Sequence, residues 1–129
     1  MVKFVERVVP ALSIFILMRH VLFKVIEEKQ NDWRSWCDYL CKHRKEAEET
    51  MREERCVYER SVMYECDDSH YVVGTIEFNG EPKKANLSIK LNAQHQKTKK
   101  DCLGKVIGVF EGHFKLPPVY EVLYEFDLR

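Results

Sequence analysis

The sequence predicts an α+β domain in which two N-terminal helices pack on a curved antiparallel sheet of about five strands. Three observations carry this expectation. The stretch from Ala11 to Ile26 is apolar on nearly every helical face. Beyond Arg55 the apolar spacing changes from the helical period to the two-residue period of strands. The segment from Tyr120 to Leu128 alternates most regularly, with Tyr120, Val122, Tyr124, Phe126 and Leu128 on one face and Glu121, Glu125 and Asp127 on the other.

The first helix is expected over residues 10–28, opening at Pro10, whose fixed φ and missing N–H suit a first helical turn. A helix apolar all round is buried on most sides, so the sheet is expected to curl around it. Arg19, His20 and Lys24 interrupt the run before it reaches the roughly 20 apolar residues of a membrane span. No membrane association is therefore expected. Lys3 precedes the run, which makes an N-terminal secretory signal the alternative for residues 1–18. Glu6, and Arg19 and His20 in place of a small-residue cleavage site, weigh against it.

A second, amphipathic helix is expected over residues 32–55, capped by Asn31 or Asp32. Its apolar stripe runs Trp33, Trp36, Cys37, Leu40, Cys41, Ala47, Met51. Opposite charges four apart (Lys42 and Glu46, Arg44 and Glu48, Lys45 and Glu49) support its solvated face.

The sheet is expected over residues 56–128. Val57 to Cys66 alternates, Asp67 to His70 forms a turn, and Tyr71 to Phe78 is a second strand. Asn79-Gly80 is a hairpin signal, because both residues tolerate positive φ. Ala85, Leu87, Ile89 and Leu91 then alternate as a third strand, followed by a polar, lysine-bearing loop from Asn92 to Gly104. Lys105 to Phe114 is the fourth strand, bent at its spaced glycines, and Tyr120 to Leu128 the fifth. No linker or internal repeat divides the chain, so residues 1–129 are read as one domain. This order of two helices and then strands is similar in outline to cystatin-like and nuclear-transport-factor-like (NTF2-like) architectures. That resemblance implies a fold and no activity.

Composition narrows function mainly by exclusion. Twenty-one basic and 21 acidic residues cancel, so no global field draws the chain to nucleic acid or an anionic membrane. Five cysteines, an odd number without regular spacing, suit free thiols in a reducing compartment, cytoplasmic or nuclear. Cys37, Cys41 and His43 include two thiols four apart on a helix. A closed zinc site wants four ligands, and both cysteines extend the stripe of Trp33, Trp36 and Leu40 as small buried residues do. Asp67 and Asp68 beside His70 read as turn residues. No metal, cofactor or catalytic residue is expected, and the chain is read as not an enzyme.

The reading that follows is a protein–protein interaction or regulatory module whose partner is an unidentified protein, a second copy of the chain included. Its candidate surface is Trp33, Trp36 and Tyr39, since aromatics concentrate at binding hot spots. An alternative is a binder of small apolar ligands in a pocket between the sheet and the first helix. A third reading is RNA or DNA binding through Lys97, Lys99 and Lys100 in the loop 97–100. The absence of arginine from residues 61–128 counts against it.

Overall fold

The computed structural model describes residues 18–129. In order, its elements are β1 (Arg19–Lys24), α1 (Gln30–Lys42), α2 (Arg44–Glu53), β2 (Cys56–Cys66), β3 (Ser69–Phe78), α3 (Lys90–Cys102), β4 (Val106–Glu111) and β5 (Glu121–Asp127). The fold is α+β, with one five-stranded sheet in the order β4-β1-β3-β2-β5 and every neighbouring pair antiparallel. β1 and β2 thus run parallel with β3 between them, and β3 and β4 run parallel with β1 between them. This is the split βαβ arrangement, extended by β5 beside β2. It replaces the cystatin-like or NTF2-like outline.

The helix expected over 10–28 is the largest correction. Residues 10–17 lie outside the described ones, as does most of the segment weighed as a secretory signal. Arg19–Lys24 is not helical but a strand between β4 and β3. Phe23 and Val25 are buried, and His20 is buried on the opposite face. An inner strand covered on both faces reads as an unbroken apolar run, which a short sequence window cannot tell from a buried helix.

The helix expected over 32–55 is two helices meeting at His43, whose φ of −116° and ψ of 37° leave the helical region. The His43 ring nitrogen Nδ1 donates to the Tyr39 carbonyl at 2.9 Å, capping the end of α1. Trp33, Trp36, Cys37 and Leu40 of α1 and Ala47 and Met51 of α2 all enter the core.

β2 and β3 form the hairpin. Cys66 pairs with Ser69 across Asp67 and Asp68, whose φ values of 52° and 64° belong to the two-residue turn that matches strand twist. Asn79-Gly80 makes no hairpin. The Asn79 N–H donates to the Arg55 carbonyl where β3 ends, and the chain then leaves the sheet. The strand expected at residues 85–91 and the loop at 92–104 are corrected as well, since Lys90–Cys102 is α3.

Candidate functional site

The three helices and the sheet do not close completely on one another. Two adjacent cavities, of about 150 and 260 Å³, lie between the helices and the sheet, the smaller under α2 and α3 and the larger under α1 and α3, and both are lined by Glu59, Ile76, His95 and Lys99. The smaller continues toward Leu40, Met51 and Phe126. The larger continues toward Phe23, Leu103 and Val106.

Space for the larger cavity comes from small residues on the helix-facing side of the sheet. Ser61 of β2 is registered with Gly74 of β3, and Gly74 with Val21 of β1. At Gly74 an added Cβ would find its nearest neighbour, Phe23 Cε2, at 4.0 Å. The glycine is therefore not required by crowding, and its missing side chain is open volume. Trp33 closes one side, donating its indole N–H to Ser61 Oγ at 3.1 Å.

Polar groups converge on this apolar space. The Tyr124 hydroxyl of β5 donates to Glu59 Oε2 at 2.6 Å. Burial, and then the Glu59 charge, hold the Tyr124 phenol well above its ordinary range, so it stays a donor. Trp36 donates its indole N–H to His95 Nδ1 at 2.8 Å. An indole nitrogen can only donate, which makes Nδ1 the acceptor and leaves the proton of the neutral ring on Nε2. Burial depresses the His95 pKa below 6.5, outweighing the Glu59 carboxylate, and Lys99 pushes the same way as burial. The ring is thus neutral at pH 7 and has one N–H to offer. One helical turn on, the Lys99 ammonium sits 5.7 Å from the centroid of the Phe23 ring. Glu54 lines the smaller cavity, and burial, with Glu59 and Glu53 nearby, raises its carboxyl to about 7.

The opposite sheet face carries a polar row, two of whose members, Arg60 and Thr75, also contribute to the lining of the larger cavity. His20, Thr75 and Arg60 are registered neighbours on β1, β3 and β2. His20 Nε2 donates to the Gly112 carbonyl at 2.8 Å, since a carbonyl only accepts, and Nδ1 is hydrogen-bonded to Thr75 Oγ1 at 2.8 Å. Arg60 in turn donates to Thr75 Oγ1 at 3.3 Å.

The residues singled out in the sequence are dispersed by the fold. Trp33 and Trp36 are interior, 2% and 8% exposed, with both indole N–H groups satisfied inside the chain; only Tyr39, at 43%, presents surface. Lys97, Lys99 and Lys100 stand on a helix rather than a loop. Lys97 pairs with Asp101 at 3.0 Å, whereas Lys99 turns toward the larger cavity. Cys37 is buried, which pushes its thiol far above the ordinary range, while Cys41 is exposed and directs its S–H to the Leu123 carbonyl. Among the described residues no three of His, Cys, Asp and Glu gather as a metal site would need, and no helix is long and apolar enough to cross a membrane.

Glu59, Ser61, Gly74, His95 and Tyr124 were not singled out from the sequence as site residues. One signal was available: Leu91, His95, Lys99 and Leu103 recur every four residues, the spacing of one helix face. Two polar members disguised the stripe.

The family described as a family of unknown function (DUF6176) matches residues 17–120 of the chain. No curated protein and no solved structure matches it.

Proposed function

The chain belongs to that family, and we propose that it binds a small organic molecule in the cleft between α3, α1 and the sheet. The observation that carries this reading is the convergence of Glu59, His95 and Lys99 on two adjoining cavities, the larger of them mainly apolar with its floor cleared at Ser61 and Gly74. Ligand sites are typically concave and largely apolar, with a few placed polar groups, and apolar cavities of about 150 Å³ already accept benzene. The cleft lies under α3 and α1 rather than against a helix over 10–28.

The test is titration of the full-length protein with benzene, followed by NMR of the Trp33 and Trp36 indole resonances. Binding should perturb Trp33, and Gly74→Val should abolish the effect while the protein still melts cooperatively. Valine is favoured in strands and its methyls would fill the floor. Unchanged benzene binding in that variant would reject the cleft as the site.

A second reading keeps the protein-interaction function on different residues. Among the described residues β4 is an edge strand, and Val106, Ile107, Val109 and Phe110 along it are 41–56% exposed. An exposed apolar edge is a template for pairing with another chain, and the proposed partner is a second copy. Sedimentation of the wild type above monomer mass, with Val109→Lys reverting to monomer, supports it; a monomeric wild type at high concentration removes it.

A further inference from the structure

Resting on the cleft reading above, we infer that the ligand is a small carboxylate with a benzoate-sized apolar body and a hydroxyl group. Size comes from the cavity. At about 30 Å³ per water-sized group, 260 Å³ accommodates roughly nine non-hydrogen atoms, the count of a benzoate. Shape comes from the walls, where Phe23, Leu103 and Val106 offer flat and branched apolar surface.

Charge comes from the polar groups. Lys99 pairs with no carboxylate among the described residues and holds its ammonium beside the Phe23 ring. His95 offers Nε2–H, because Trp36 occupies Nδ1. A cation and a neutral N–H one turn apart on α3 suit an anion that accepts from both, and charge-assisted bonds of this kind are the stronger ones. Lys97, Lys100 and Gln96 border the adjoining surface depression together with Lys99, so the approach is basic as well.

Glu59 supplies the second requirement. Tyr124 occupies its Oε2, and Oε1 remains to accept from a donor on the ligand. A bare carboxylate would meet only repulsion there, whereas a hydroxyl on the same ring turns that contact into a hydrogen bond. The smaller cavity, with Glu54 and Asn92 on its wall, gives substituents room to extend.

Calorimetric titration of the full-length protein with benzene, benzyl alcohol, benzylammonium, benzoate and 3-hydroxybenzoate tests this directly. Benzoate should bind about tenfold more tightly than benzyl alcohol, and 3-hydroxybenzoate more tightly still. Lys99→Met, which keeps the aliphatic stem, should shrink the benzoate preference to about threefold or less. Glu59→Gln, whose amide oxygen can still accept from Tyr124, should reduce the advantage of the hydroxyl. Gly74→Val should weaken every probe alike. If benzene binds and Gly74→Val abolishes it, but benzoate gains nothing or the gain survives Lys99→Met, the carboxylate assignment fails and the cleft stands. Tighter binding of benzylammonium than of benzoate also overturns it. If none of the five binds, both the assignment and the cleft reading fall.

Discussion

Trp36 and His95 fix each other across the α1–α3 contact. The indole N–H reaches Nδ1 at 2.8 Å, and the two rings lie 5.9 Å apart between centroids. The bond exists only while His95 is neutral, because a protonated imidazole has no acceptor. One contact therefore sets the tautomer offered to the cleft and joins two helices, with Trp33 meeting the same His95 ring at 6.0 Å between centroids.

This gives a signed pH dependence. The folded pKa of His95 lies below the 6.5 of the unfolded chain. As pH falls through 6.5 the unfolded chain binds the proton first, so stability declines until the folded pKa is passed. Glu59 on β2 and Lys99 on α3 are the charges acting on the ring, and they pull in opposite directions. His95→Asn should flatten the decline, with a wild-type slope no steeper than about 1.4 kcal/mol per pH unit. Urea titrations at pH 5, 6, 7 and 8 measure it; identical pH profiles for the two proteins would refute the assignment.

Glu54 acts with the opposite sign. Its carboxyl is raised from 4.5 to about 7 in the folded chain. Between those values the folded state holds more protons, so this group lowers stability as pH rises. Glu54→Gln should raise stability at pH 8 by on the order of 1 kcal/mol, allowing for its partial exposure, and change little at pH 4. Because the His95 window overlaps, the informative quantity is the difference between variant and wild type at each pH.

Tyr124 and Glu59 form a part-buried donor–acceptor pair between β5 and β2. Tyr124→Phe should cost about 1.5–3 kcal/mol, the range for a hydrogen bond to a charged group. Combined with Glu59→Gln the two changes should be non-additive by about 1 kcal/mol in a double-mutant cycle. Additive losses would mean that the hydroxyl and carboxylate do not interact in solution.

The β2–β3 turn holds a reserve of stability. Asp68 adopts φ 64°, a region in which side chains are disfavoured and glycine is not. Asp68→Gly should raise the melting temperature, because glycine fits the left-handed second position of this two-residue turn better than any side chain; a lower one would show that the aspartate side chain is needed in the turn.

The sequence by itself determined the α+β class, the amphipathic pattern of residues 32–55, a turn within Asp67 to His70, which the structure narrows to Asp67 and Asp68, and the terminal strand. All of these are set by local chemistry, through periodicity, left-handed turn positions and paired charges. At β5, alternation identified Tyr124 and Phe126 as inward, and the structure buries both, but the register shift between Ser61 and Val62 turns Val122 to the other face, where it stays about half exposed.

Only the tertiary structure decided the rest. Arg19–Lys24 is a strand because β3 and β4 pair on either side of it, and an apolar run carries no mark of partners distant in sequence. Lys90–Cys102 is a helix whose inward stripe includes His95 and Lys99, polar because they border a cleft rather than a packed core; local rules break most readily at such places. The cleft itself exists because Glu59, Gly74, His95 and Tyr124, spread across three strands and a helix, are brought together by strand order. Which residues face one another is a property of the sheet's register, and no single segment of the chain encodes it.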